Sequence, residues 1–171
     1  MQVRFRAATS SDIDGILEVQ KTCYHLGMCE SCSVFESIII HGWSYVAVEI
    51  DDSSNEKIIG YLVAHAWHTL AYPPHLHSCL TPHSKVECLF IHDIAVLSSH
   101  RRLGLAHTMF NMLCKHIPSL PCSFVAVHNS AEKHVHAIVL PCSPDILQSY
   151  GDESATYMMY KPEYIKHYTK I

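Results

Sequence analysis

The 171-residue sequence has no excess of positive charge: twelve Lys and Arg stand against sixteen Asp and Glu, a formal net charge of −4. A nucleic-acid binder usually carries a basic face, so that class is set aside. Charged residues are few, at 16%, while 49% are hydrophobic. Disorder therefore has no compositional basis. No apolar run approaches a bilayer span, and stretches such as 124–127 are far too short. The opening Met1-Gln2-Val3-Arg4-Phe5-Arg6 lacks the apolar centre of a secretory signal. No internal repeat or shift in composition marks a boundary. The expectation is a single soluble domain over 1–171, cytoplasmic, with no nucleic acid and no membrane as partner.

A second Cys-x-x-Cys is also missing. Cys29-x-x-Cys32 has the spacing of half a zinc site or a redox pair, and His75-x-His77 and His134-x-His136 are candidate further ligands. The other cysteines, Cys23, Cys79, Cys88, Cys114, Cys122 and Cys142, are scattered singly. That falls short of the paired spacing of structural zinc sites. Without a signal peptide, a disulfide framework has no oxidising compartment to form in. Cys88 and Cys114 lie in apolar segments, where a free thiol behaves as a small hydrophobe. Free thiols and no metal are expected.

Val3, Phe5 and Ala7 alternate with Arg4 and Arg6, as in a half-buried strand. Thr9 to Asp12 supply cap chemistry for a first helix reaching about Tyr24. Ser33-Val34-Phe35-Glu36 reads as a capping box for a second helix, with Phe35, Ile38 and Ile39 as its buried face and Gly42 as its end. Strands over 45–50 and 58–66, joined by a turn at 51–55, form a hairpin. A long loop with three prolines, 69–85, follows; a loop of that length suits the wall of a substrate pocket or a poorly ordered insertion. A third helix is expected over 103–117, its stripe of Ala106, Phe110, Leu113 and Ile117 assigned to the core. A strand follows at 123–128, then a helix opened by Asn129 or Ser130 and ended by Pro141 and Pro144, then a strand at 155–161.

The chain is organised around 88–106. Cys88 to Val96 is an apolar run suited to a buried strand, 98–102 is a short polar loop, and an amphipathic helix begins near Leu103. The N–H groups at a helix start have no partner within the helix, and the dipole adds positive potential there. Such a site suits a phosphate or pyrophosphate. Gly104 and Ala106 allow close approach to the backbone, and Arg101 and Arg102 add charge beside it.

Arg101-x-x-Gly104-x-Ala106, preceded by His92-Asp93-Ile94-Ala95-Val96, resembles the Gln/Arg-x-x-Gly-x-Gly/Ala signature of the GNAT acyltransferase superfamily. There it wraps the pyrophosphate of acetyl-coenzyme A. The element order, β-α-α-β-β-β-α-β-α-β, is also that family's and covers essentially the whole chain. Arg6-Ala7-Ala8-x-x-x-Asp12 looks like its opening, and Ser149-Tyr150-Gly151-Asp152 with Tyr157-Met158 like its closing segment. The resemblance implies an α/β (α+β) fold, a mixed sheet splayed between strands 4 and 5 and flanked by helices. It implies acetyl-CoA as co-substrate, held by Ile94, Ala95, Val96, Arg101, Arg102, Leu103, Gly104, Leu105, Ala106 and Asn129.

Acyl transfer to an amine needs a base to remove a proton and donors for the developing oxyanion. His92 and Asp93 stand where related acetyltransferases place a base or water-holder. An unperturbed imidazole, with a pKa near ~6.5, suits the task. Asp93 faces the opposite side in a regular strand, but the family often carries a bulge here. The departure lies after Ser130, where Lys133 to Pro141 offers no Tyr for the family's general acid and no Gly-Phe turn. Tyr150 is the substitute, with Tyr157 behind it, and both also serve as packing aromatics. Three readings result. The first is an N-acetyltransferase acting on a small-molecule or peptide amine, with a homodimer left open. The second is a coenzyme A-binding protein with impaired catalysis. The third is a zinc protein using Cys29 and Cys32.

Overall fold

Alternation along one strand sets the layers. In β2 (Trp43–Ile50), Tyr45 and Ala47 face one side while Val46 and Val48 face the other, and all four are buried. A strand with apolar side chains on both faces must be covered on both. The computed structural model describes residues 2–81, 85–116, 123–128, 137–151 and 155–160. The other elements are β1 (Gln2–Ala7), α1 (Ile13–Cys23), α2 (Cys32–His41), β3 (Glu56–Trp67), β4 (Cys88–Val96), α3 (Leu105–His116), β5 (Ser123–His128), β6 (Ala137–Val139), α4 (Pro144–Ser149) and β7 (Thr156–Tyr160). The described strands form one mixed sheet in the order β1-β2-β3-β4-β5-β7-β6, with β4 and β5 its parallel pair. Tyr45, Ala47, Leu62 and Leu89 pack under Leu105, Met109 and Leu113 of α3. On the other face Val46, Val48, Tyr61 and Val63 pack under α1 and α2 through Ile16, Val19, Phe35 and Ile38. The expected mixed sheet flanked by helices is what forms.

Several local expectations change. The N-cap of α2 is Ser31, not Ser33, and Glu36 is exposed and takes the Cys32 thiol instead of closing a capping box. Val34 joins Phe35 and Ile38 in the core, and Ile39 is only partly buried. The third helix starts at Leu105, two residues later than expected, because Arg102 and Gly104 adopt positive φ (+63° and +75°) and hold the chain in a turn. The helix read over 129–140 meets the described residues only at its end, where 137–139 are the strand β6, paired with β7. The last helix among the described residues is α4, which Pro144 opens: proline at the first helical position gives up no needed N–H, and Ser143 caps it by accepting the Ile146 N–H. Among the described residues no helix is long and apolar enough to cross a membrane.

Two irregularities shape the site. Between β3 and β4, Asp93 pairs with Val63 but Ile91 pairs with Ala64, so His92 is an extra, unpaired residue: a β-bulge. Between β4 and β5, pairing runs from Cys88 with Ser123 to Ile91 with Ala126 and stops, while β5 continues along β7 to His128. The expected splay between strands 4 and 5 therefore opens just beside the bulge.

Candidate active site

A cavity of about 450 Å³ occupies the splay, and His92, Asp93, Glu30, Tyr24, Phe110 and Tyr150 are among the residues lining it. A second cavity of about 270 Å³ lies beside Val96 and Arg101 and shares Tyr24, Ile94 and Ala106 with the first. Together they run from the start of α3 to the bulge. The bulge resets side-chain parity, so His92 and Asp93 both line the larger cavity rather than facing opposite ways.

The two neighbours have different surroundings. The Asp93 carboxylate is partly buried and takes the Tyr24 hydroxyl at 2.8 Å on Oδ1. On Oδ2 it takes the Tyr61 hydroxyl at 2.5 Å and the Gln20 amide at 3.5 Å. Desolvation pushes its pKa up, against the donors from Tyr61 and Tyr24. Both oxygens are engaged, so Asp93 braces β4 against β3 and α1. His92 is buried, and its Nε2 lies 2.8 Å from Glu30 Oε1. Its Nδ1 is buried without a hydrogen-bond partner among the described residues.

Glu30 sits between α1 and α2 and is almost fully buried. Its second oxygen takes the His77 backbone N–H at 3.1 Å and meets His77 Nδ1 at 2.9 Å. Burial raises its pKa, but the hydrogen bond with His92, together with the His77 bonds, outweighs this and leaves the carboxyl below its ordinary range. Sequence reasoning did not identify Glu30. It lies in no periodic segment, and the only hint is a carboxylate between Cys29 and Cys32 at a helix start. His77 entered that reading only as a metal candidate.

Tyr150, the proposed substitute acid, does reach the cavity, but its hydroxyl donates to the Pro74 carbonyl and burial raises its pKa well above the ordinary value. Tyr157 is fully buried, with no hydrogen-bond partner for its hydroxyl among the described residues. The segment between β3 and β4 does wall the cavity, through Leu76. Phe110 and Ala106 line the cavity too, which corrects their assignment to a purely core stripe; Leu105, Met109 and Leu113 are the buried face of α3.

Of the residues expected to hold acetyl-CoA, Ile94, Ala95, Val96, Arg101 and Ala106 line the second cavity. The Ile94 carbonyl lies 2.8 Å from the Tyr24 oxygen, so it shares that hydroxyl's one hydrogen with Asp93 Oδ1. The Val96 carbonyl accepts from Arg101 Nε at 3.1 Å. Arg102, Leu103 and Gly104 are exposed in the turn, whereas the Leu105 side chain is buried and offers only its backbone. A Cβ on Gly104 would have nothing within 4 Å. The first helical bond of α3 runs from Thr108 N–H to the Gly104 carbonyl, so the N–H groups just ahead lack an intrahelical acceptor. Open space over a glycine, N–H groups without an intrahelical acceptor and two exposed arginines fit a pyrophosphate. Asn129 lies outside the described residues. Cys29 and Cys32 contact different acceptors, the His25 carbonyl and the Glu36 carboxylate. Among the described residues no three His, Cys, Asp or Glu side chains converge to hold a metal ion.

Comparison with solved structures finds the same fold in distant relatives. The loading GNATL domain of CurA from Lyngbya majuscula is 11% identical, with a TM-score of 0.67 over 98% of this chain and 100% of that one. The GphF GNAT-like decarboxylase in complex with isobutyryl-CoA is 11% identical, with a TM-score of 0.69 over 92% and 98%. The NatC complex bound to Gag peptide and CoA is 15% identical, with a TM-score of 0.66 over 94% and 99%. A comparison with curated proteins gives no match. The sequence itself matches the acetyltransferase (GNAT) family over residues 15–138. With that match spanning most of the sequence, and with the splayed sheet and glycine turn in place, the chain belongs to the GNAT acetyltransferase family.

Proposed function

We propose that the chain transfers an acetyl group from acetyl-coenzyme A to a primary amine of a small molecule or peptide, with His92 as the base. The carrying observation is that the two cavities, which share Tyr24, Ile94 and Ala106, join Arg101 at the Gly104 turn to the Nδ1 of a buried histidine that has no hydrogen-bond partner among the described residues. Two of the structurally similar proteins hold coenzyme A or isobutyryl-CoA, which supports a coenzyme A thioester as the donor.

When bound, acetyl-CoA supplies the thioester carbonyl that the amine attacks. The chain's own part is positioning and proton handling. A carboxylate only accepts hydrogen bonds, so Glu30 draws the N–H of neutral His92 onto Nε2. Nδ1 then carries the lone pair. It takes one proton from the amine nitrogen as the new C–N bond forms and the C–S bond breaks. The resulting imidazolium rests against the Glu30 charge and gives that proton back to the leaving coenzyme A thiolate, which departs as the thiol. The backbone N–H groups at the start of α3, with Arg101 and Arg102, hold the phosphates.

The test is acetyl transfer over a panel of arylalkylamines, polyamines, amino acids and N-terminal peptides. The expected result is turnover with at least one amine and a loss of about 10²–10⁴-fold in His92→Gln with coenzyme A binding intact. Wild-type turnover in His92→Gln would remove it as the base. Coenzyme A binding with no transfer to any amine would favour a binding protein without catalysis.

A further inference from the structure

We propose that Glu30 and His77 are positioning residues for His92, and that through them the base depends on the segment that walls the cavity. This rests on the reading of His92 as the base.

Glu30 lies 62 positions from His92 and 47 from His77, yet its carboxylate joins the two. The His92 and Glu30 side chains are only 1% and 2% exposed, whereas His77 is 50% exposed. One carboxylate therefore ties a ring at the cavity to a ring at the surface. A buried carboxylate with an unfilled oxygen is costly, and His77 fills that oxygen twice, from its backbone N–H and its ring. It does so because His77 adopts φ +67°, which turns its amide and side chain toward the same acceptor.

The segment bearing His77 is itself anchored. Leu80 exchanges backbone hydrogen bonds with the Ser37 hydroxyl on α2, and the Pro74 carbonyl takes the Tyr150 hydroxyl. Leu76, one residue before His77, lines the cavity. The same seating that shapes the acceptor side of the cavity thus fixes Glu30, and Glu30 fixes which nitrogen of His92 carries the proton. A displaced segment leaves Glu30 free to rotate, and His92 loses its single tautomer.

Glu30→Gln is the discriminating variant, because it keeps shape and removes the preference. Its amide can present either an oxygen or an NH₂ to Nε2, so the Nδ1–H tautomer becomes accessible. The expected result is a fall in kcat of about 10²–10⁴-fold, with KM for acetyl-CoA within about twofold of wild type. His77→Ala should lower kcat by about tenfold, and His77→Asn, which restores a donor, should recover part of it. Independently of activity, nitrogen-15 histidine NMR should place the wild-type His92 proton on Nε2 and show mixed tautomers in Glu30→Gln. The His92 signals are assigned by their absence in His92→Gln.

Wild-type kcat in Glu30→Gln would overturn the proposal, as would an unchanged His92 tautomer in that variant. If Glu30→Gln fails to fold, His77→Ala decides: wild-type kcat together with an unchanged tautomer refutes the coupling. A fast His92→Gln would refute the base itself, whereas a slow His92→Gln beside a fast Glu30→Gln would refute only the positioning.

Discussion

Replacing Gly104 with alanine should separate folding from cofactor binding. Gly104 has φ +75°, and an added Cβ would meet nothing within 4 Å. The cost in the free protein is therefore conformational rather than steric. Left-handed backbone costs alanine about 1–2 kcal/mol, and the less flexible unfolded chain returns about 0.4–1 kcal/mol. A net loss of about 1 kcal/mol lowers Tm by about 2–4 °C in a chain of this size. The larger effect should fall on the cofactor, because the methyl group occupies the space where a pyrophosphate would approach the backbone. A tenfold rise in Kd corresponds to ~1.4 kcal/mol. At coenzyme A equal to about 100 times the wild-type Kd, wild type gains about 2.7 kcal/mol from binding, and a tenfold weaker variant gains about 1.4 kcal/mol. The coenzyme A-induced thermal shift should therefore be roughly halved or worse. Thermal melts with and without coenzyme A, and calorimetric titration, provide the readout. Gly27→Ala is the control, since its Cβ also meets nothing and its φ is not positive. An undiminished coenzyme A shift in Gly104→Ala would refute the placement of the pyrophosphate.

Gly42→Ala should behave in the opposite way. Its Cβ would fall 2.3 Å from the Ala64 carbonyl oxygen and 2.9 Å from that of Ile38, so backbone must move at a cost of about 1–3 kcal/mol or more, read as a lower Tm. The two carboxyls at the site should give pH dependences of opposite sign. Glu30 has a lowered folded pKa, so its contribution is present above the ordinary carboxyl value and is lost as pH falls through the folded one. The Tm deficit of Glu30→Gln should therefore shrink in acid. Asp93 has a raised folded pKa, so stability is retained at low pH and lost as pH rises through that value. Asp93→Asn should gain on wild type as pH rises, and a difference flat with pH in either variant would refute its assignment. In catalysis, the losses expected of His92→Gln and Glu30→Gln complete the set.

Local chemistry made much of the fold readable. The apolar run Tyr45-Val46-Ala47-Val48 reads as a strand, and the structure buries both its faces, under α3 on one side and α1 and α2 on the other. Arg101-x-x-Gly104-x-Ala106 marked the turn because positive φ and close backbone approach both favour glycine, and Gly104 has that conformation. Proline and serine were read less well. Pro144 reads as the end of a helix but begins one, since a proline by itself does not tell which side of it the helix occupies. The stripe of α3 also divides: Leu113 goes to the core while Ala106 and Phe110 line the cavity, because an apolar face cannot register that the sheet beneath it parts.

The sequence by itself determined six of the seven described strands, the first three helices, the glycine turn and the neighbouring histidine and aspartate on the central strand. These depend on near-neighbour spacing, backbone sterics and the period of burial. Only the tertiary structure decided what that histidine and aspartate do. A one-residue bulge turned both into the same cavity. A tyrosine just after α1 and another on β3 then engaged Asp93, and Glu30, itself held by His77 from a separate connection, took hold of His92. No spacing rule links residues 30, 77 and 92. They meet because the splayed sheet, the α1–α2 connection and the segment before β4 bring one buried carboxylate within reach of two imidazoles, and a buried charge is stable only where its partners converge.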